Sequence, residues 1–258
     1  MRQVFLSSPW VHSPACPEIV RFFNETGTWM RLPAGGGILN GGDRGEIAMV
    51  LSGLGAFSFV DRNGNNHIFA LILPGRLMGD VDGLAGTLVN VTDLAMRETE
   101  VRIVQKENFL AFLLANPVIQ HQHFVGIIRD HESDMEGMVS NFTLSASERI
   151  CALFESLMAQ SGTSRSQNGW TEVPYFLTAV EISHVVSIAR PTVSSILADW
   201  SRKGLIKRDG RTLFVADAFF DMNYDWFDEG PSPAGRIRKR RRTVLQSEKC
   251  QLPDGLPL

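Results

Sequence analysis

Six basic side chains fall between residues 190 and 211 (Arg190, Arg202, Lys203, Lys207, Arg208 and Arg211), against two acids, Asp199 and Asp209. Cations at that density neutralise backbone phosphates, which supplies much of a protein's affinity for DNA. Short polar groups are interleaved with them. Thr192, Ser194 and Ser195 can hydrogen-bond base edges. The net charge of the whole chain is −3, so the argument for nucleic acid rests on this local concentration and not on bulk charge.

The surrounding pattern supplies elements able to present these groups. Val180 to Val186 reads as a short helix and Ser187-Ile188-Ala189 as a turn. Pro191 sits where a second helix begins, its fixed φ suiting the first turn. Val193, Ile196, Leu197 and Trp200 then fall at i, i+3, i+4 and i+7, which predicts one buried face. The opposite face carries Thr192, Ser195 and Asp199, with Arg190 at its N-terminal end, the end from which a recognition helix meets the major groove. Helix, short turn, helix is the helix-turn-helix pattern. Lys203-Gly204 closes the second helix, and Leu205-Ile206-Lys207 and Thr212 to Val215 flank Asp209-Gly210, a two-residue hairpin signal that predicts a wing. The candidate DNA contacts are Arg190, Pro191, Thr192, Ser194, Ser195, Arg202, Lys207, Arg208 and Arg211. A winged helix turned to protein contacts is the alternative use of the same elements.

Further upstream, Ser145 and Glu148 form a capping-box pair ahead of RICALFESLM, so a second domain opens near residue 145. Before it, Phe124, Ile128, His131, Met135, Met138 and Phe142 are spaced 4, 3, 4, 3, 4, the a/d seam of a coiled coil, extending back to His121 and Pro117. Arg129, Asp130, Glu132, Ser133, Asp134 and Glu136 fill most of the other faces. Such a seam needs a partner, either a second helix of the same kind or its own domain. The first ~110 residues read differently. MVLSG, AFSFV and HIFALILPG are strands between glycine turns, DRNGNN (61–66) is a hairpin signal through Asn63-Gly64, and Gly42, Gly53, Gly64 and Gly75 recur every 11 residues. Regular strand-turn spacing suggests a small antiparallel sandwich or barrel. The expected organisation is a β-roll in 1–115, a helix in 116–143, a winged helix-turn-helix in 144–227, and a disordered tail in 228–258. Six of the seven residues from Arg236 to Arg242 are basic, a DNA-contacting arm or a solvated tail.

Composition excludes several classes. A hydrophobic fraction of 44% with 21% charged residues is that of a globular protein, and the pI is near 6.1. No apolar run approaches the ~20 residues of a membrane helix, and the N-terminus has no apolar h-region, so the expected location is the cytoplasm. Cys16, Cys151 and Cys250 are odd in number, far apart and without a CxxC, which gives neither a disulfide framework nor a zinc site.

Across residues 28–217 this order of roll, long helix and winged helix-turn-helix resembles the bacterial family of the cyclic-AMP receptor protein and the fumarate–nitrate regulator (Crp/Fnr). The similarity rests on Arg149-Ile150, Glu181-Ile182, Arg190 with Thr192-Val193 and Ile196-Leu197, Gly204-Leu205-Ile206 and Gly210-Arg211-Thr212, and in the roll on Gly42, Gly53, Gly64, Gly75 and Gly79. It implies an α+β protein: an antiparallel jelly roll like the cyclic-nucleotide-binding domain, a dimerisation helix and a DNA-binding domain. The resemblance also implies a homodimer along 116–143, a transcription regulator gated by a ligand in the roll, a near-palindromic DNA operator, and an RNA polymerase contact where it activates. It implies that Arg190 reads guanine.

The departures from that family are informative. Asp80 fits the family's ribose-binding acid, but no Arg or Lys lies between Arg76 and Arg97 to meet a cyclic phosphate, and Asp130 and Asp134 bring negative charge. An anionic phosphate needs charge-assisted donors, so a cyclic nucleotide is disfavoured. The expected effector is a neutral or weakly acidic organic molecule, as in members that sense chlorinated aromatics, held by Asp80, Thr87, Asn90, Phe124, Ile128 and His131. An iron–sulfur sensor needs a cysteine cluster where Cys16 stands alone. Haem held by His12, Cys16 or His67 is the alternative cofactor, and a cupin-type metalloenzyme the remote one. For the latter, His121-Gln-His123 has the HxH spacing but lies in a helical pattern, where metal ligands stand three or four apart.

Overall fold

Three glycines set corners of the N-terminal half. Gly53, Gly64 and Gly75 have φ of +96°, +82° and +81°, a region that strains any residue with a Cβ. At Gly53 the space is closed as well, since a Cβ there would stand 2.5 Å from Thr99 Oγ1. The computed structural model describes residues 4, 5, 7–37, 45–81, 91–161 and 168–222, and the compact unit is Phe5–Asn223. Gly42, Thr87, Asn90 and the 236–242 basic run lie outside the described residues.

Strands β1 (Thr28–Leu32), β2 (Glu46–Ser52), β3 (Gly55–Val60), β4 (Asn66–Ile72), β5 (Leu77–Met78), β6 (Thr92–Ala95) and β7 (Thr99–Gln105) form two antiparallel sheets. Their orders are β1-β7-β2-β5 and β4-β3-β6. The hairpin expected at 61–66 joins β3 to β4, but Val60 pairs with Asn66, so its loop is five residues long. Asp61 organises that loop by accepting the N–H groups of Asn63 (2.8 Å) and Asn65 (2.9 Å).

The two sheets face each other. Ala48, Val50, Met78 and Val101 of one sheet pack with Ile72 and Ala95 of the other. The alternate residues of β2, Ile47 and Met49, point the other way, onto Ile19 and Phe23 of α1 (Pro17–Thr26) and Phe109 and Leu113 of α2 (Lys106–Ala115). Both faces of β2 are therefore covered, which is why its centre is a continuous apolar run and not an alternating one. The Phe23 ring is fully buried, and its removal would cost ~3–5 kcal/mol. Neither α1 nor α2 was evident in the sequence.

Helix α3 (Pro117–Thr143) follows. Its buried residues are not the apolar seam but His123, Ser133, Glu136, Gly137 and Ser140. Ser133 and Glu136, polar residues off the seam, thus lie inside. The N-terminal strap lies along that face: Phe5 N–H donates to Glu136 (2.9 Å), Ser7 Oγ to Glu132 (3.0 Å) and Ser133 Oγ to the Ser8 carbonyl (2.6 Å). Buried polar groups need such partners, and the strap supplies them.

The C-terminal half begins with α4 (Ala146–Ser161), capped as expected by the reciprocal Ser145–Glu148 pair. Helices α5 (Ala179–Val185) and α6 (Arg190–Arg202) precede the strands β9 (Ile206–Asp209) and β10 (Thr212–Ala216). A further strand, β8 (Trp170–Val173), completes a sheet of order β8-β10-β9. Phe154, Trp200 and Phe219 form the aromatic centre, with the Trp200 and Phe219 rings 5.0 Å apart and edge to face. The protein is thus α+β: an antiparallel roll, a long helix and a winged helix-turn-helix.

Candidate functional site

Helix α5 starts at a full capping box, in which Thr178 and Glu181 satisfy each other's backbone N–H groups. It ends at Val185, and Ser187 then adopts φ +50° to turn the chain. That turn is held from two sides. Arg149 of α4 donates to the carbonyls of Val186 (3.3 Å) and Ser187 (3.4 Å), and Asn141 of α3 donates to Ser187 Oγ (3.4 Å). With Pro191 in its first turn, α6 then starts at Arg190.

Val193 and Trp200 of α6 are buried, Ile196 and Leu197 half-buried, and Arg190, Pro191, Thr192, Ser194 and Ser195 all exposed. The exposed groups sit on one helix beginning at its N-terminus, the arrangement required to enter a groove of DNA. In the wing, Asp209 pairs with Thr212, so the hairpin loop is Gly210-Arg211 and not Asp209-Gly210. Gly210, at φ +54°, takes the first loop position, as in a type II′ turn. Arg211 is thereby displayed at the wing tip.

The basic groups differ in how they are held. Asp199 pairs with both Arg202 (3.1 Å) and Lys203 (2.7 Å). Those pairs and their two N–H donors depress the Asp199 pKa, the Lys203 bond most. Neighbours in β9 point to opposite faces of the wing. Lys207 Nζ lies 4.3 Å from the centre of the Trp170 ring and Arg208 Cζ 4.4 Å from that of Phe176. The aromatic support from β8 was not foreseen. WTEV is too short a run to declare itself a strand, although Trp170 is a signal in retrospect.

A cavity of about 130 Å³ lies between the roll and α3. Phe57, Ile72, Leu77, Val81 and Ile127 give it apolar walls, and His12, Asp80, Asp93, Asp130, His131 and Asp134 its polar ones. Of the residues expected there, Asp80 and His131 line it. Phe124 and Ile128 do not: each is 58% exposed, on the outer face of α3. The reason is helical geometry, since successive residues are rotated by ~100° and the inward positions are Ile127 and Asp130. His12, Asp93 and Asp134 were not among the expected residues. His12 bonds Asp134 at 3.0 Å, and Asp130 accepts the Ser13 N–H at 2.6 Å. Burial opposes charge on His12, but Asp130, Asp134 and Asp93 override it and raise its pKa to about 9. Burial raises Asp130 to about 6.

The other metal and haem candidates lie apart. His67 is stacked on Phe59 and bonded to Asp61, His121 is exposed while His123 is buried, and Cys16 precedes α1. Among the described residues no group of three or more His, Cys, Asp or Glu is placed to hold a metal ion.

Residues 148–218, from α4 through the wing, match the Crp-like helix-turn-helix domain. The chain carries a Crp-like helix-turn-helix domain. It is 24% identical over 189 residues to the cyclic AMP receptor protein of Thermus thermophilus, covering 72% of this chain and 82% of that one. To the CRP-like cAMP-activated global transcriptional regulator of Mycobacterium tuberculosis it is 22% identical over 190 residues, covering 72% and 83%. In fold it is similar to the solved structure of FixK2 from Bradyrhizobium japonicum, with a TM-score of 0.65 at 16% identity over 78% of this chain and 98% of that one.

With this Crp-like domain, the chain is a DNA-binding transcription regulator with an effector-sensing domain, and the relatives it is similar to are regulators. Regulators of this family bind DNA and act as dimers. No described helix is long and apolar enough to cross a membrane. The arginines that flank the cavity segment in sequence are engaged elsewhere. Arg76 is buried and committed: it donates to the carbonyls of His12 and Pro74 and to Gln160 Oε1. Arg97 is spent on Glu181 (3.0 Å) and the Phe176 carbonyl (3.1 Å), where the roll meets α5.

Proposed function

We propose that this regulator works as a homodimer paired along the α3 seam, placing two recognition helices on a near-palindromic operator. The arrangement of α6 carries this reading, because it turns Arg190, Thr192, Ser194 and Ser195 outward beside a basic wing. Arg190 reads one guanine per half-site through O6 and N7. Arg202, Lys207, Arg208 and Arg211 neutralise phosphates without regard to sequence. The seam supports pairing: Phe124, Ile128, His131, Met138 and Phe142 are exposed and Met135 is half-buried. We take the roll (1–115) as the sensor, 116–143 as the dimer helix and 144–227 as the DNA-binding domain, acting in the cytoplasm and meeting RNA polymerase where it activates. A small molecule in the roll cavity gates operator binding. A cyclic nucleotide is a poor occupant, because Arg76 and Arg97 are both engaged elsewhere.

The test is a binding selection over a randomised half-site with the wild type and Arg190→Ala. The variant should lose ~1–3 kcal/mol, concentrated at a single G, whereas Lys207→Ala weakens all sites about equally. Identical base preferences at every position would make Arg190 a phosphate contact.

A further inference from the structure

Asp80 and Asp130 line not only the larger cavity but also an adjoining smaller one of about 40 Å³. Asp93 and Asp134 add two more carboxylates to the larger. The cations near them are His12, bonded to Asp134, and Arg76, whose N–H groups point to other partners. No Lys or Arg occurs from 77 to 96. The site is therefore short of positive charge.

A second observation concerns hydrogen bonding. In the smaller cavity His123 Nε2 and Gln122 Oε1 are both buried and have no hydrogen-bond partner among the described residues. His123 is only 8% exposed, and its Nε2 stands 3.7 Å from Asp80, too far for a hydrogen bond. Burial lowers the His123 pKa, and in the tautomer protonated at Nδ1 its Nε2 is an acceptor. Unmet acceptors beside carboxylates call for a ligand that donates several hydrogen bonds and carries positive charge.

Building on the reading of this cavity as the effector site, we propose that it takes a small organic ammonium. The N–H donors of a protonated amine meet Asp80, Asp130 and the Gln122 amide oxygen, and the apolar remainder lies against Phe57, Ile72 and Ile127. This replaces the neutral or weakly acidic ligand expected from the sequence. Such a ligand relieves the repulsion among the carboxylates, whereas an acid would add to it.

The test compares isosteric probes on the full chain by calorimetry: benzylamine, benzyl alcohol and benzoate, with phenethylamine and n-butylamine as further amines. The amines should bind about tenfold or more tightly than the alcohol and benzoate, as expected of charge-assisted bonds. Asp80→Asn should erase that preference at an unchanged melting temperature, and Asp130→Asn should erase it with some loss of stability, because Asp130 also supports the His12 charge. If one variant fails to fold, the other and the wild-type probe series still decide. Tighter binding of benzoate or benzyl alcohol, or no amine binding at millimolar concentration, overturns the ammonium class. Operator affinity measured with each bound probe separates the two ideas. A neutral or anionic probe that changes it leaves the sensor reading standing without the ammonium, and an amine that binds without changing it supports the ammonium and removes the gating.

Discussion

The indole of Trp10 lies against Gly137 of the long helix, where a Cβ would come within 2.6 Å of ring atoms Cδ1 and Nε1. Trp10 is fully buried, so this contact fixes where the N-terminal strap meets α3. Gly137→Ala sets two effects against each other. Alanine improves helix propensity by ~1 kcal/mol, but a rigid buried ring cannot yield as a flexible side chain would, and overpacking costs ~1–3 kcal/mol. The clash should win, giving net destabilisation of ~1 kcal/mol in chemical denaturation. A more stable variant would show that the strap yields freely.

The His12 charge makes stability depend on pH. Its pKa rises from 6.5 to about 9 on folding, because Asp130 and Asp134 outweigh burial. The folded chain thus holds the proton more tightly than the unfolded one. The contribution is complete below pH 6.5 and is lost as pH climbs towards 9. It amounts to at most about 3 kcal/mol. Denaturation curves of the wild type and His12→Gln across that range should converge at the alkaline end. Parallel curves would mean that His12 does not titrate in this window.

Ile128→Asp places a carboxylate in the middle of an apolar seam. Since Ile128 is 58% exposed within the chain, the fold should survive while the dimer dissociates and specific operator binding disappears. Sedimentation velocity with circular dichroism separates these effects. An unchanged dimer would remove the seam assignment.

Asp199 restrains Arg202 and Lys203 and brings a negative charge close to the expected DNA path. Asp199→Ala should tighten binding to all sequences and steepen the salt dependence by about one phosphate's worth. Fluorescence anisotropy at several salt concentrations, on operator and random DNA, reads both. A gain confined to one sequence would point to a base contact at 199.

Arg97→Ala should loosen α5 from the roll. The ion pair to Glu181 is partly exposed, so global stability should fall by only ~1 kcal/mol or less. Amide exchange over 178–185 should nevertheless accelerate, because local opening is governed by local contacts. Unchanged exchange would show that α5 is held by its other contacts.

How much of this could be read from the sequence differed between the halves. The helix-turn-helix was legible because each device is local: Pro191 at a helix start, Val193 and Trp200 on one face, and glycine at the wing turn. The roll's corners were legible through Gly53, Gly64 and Gly75. The long helix was read only in part, for a geometric reason. The seam 124, 128, 131, 135, 138, 142 is shadowed by a second stripe one residue earlier: His123, Ile127, Asp130, Asp134, Gly137 and Asn141. Every member of that stripe meets its own chain, through Phe109, the cavity, Ser13, His12, Trp10 and Ser187 respectively. Two stripes with the same spacing cannot be told apart by periodicity, and the inner one is polar because its partner is a strap of backbone. That strap, Phe5 to Ser13, has no period, so the partners of Ser133 and Glu136 had no signature.

Asp93 faces the cavity, and four residues along the chain Arg97 grips the cap of α5. A disturbance at one reaches the other through a few bonds of backbone. If filling the cavity alters that grip, thermodynamic reciprocity requires bound operator to change the affinity for the cavity's occupant by the same factor. The sensor then has no single threshold. A promoter with a strong site and one with a weak site would respond to different concentrations of the same signal, and the graded order in which genes switch would be written in the DNA as much as in the protein.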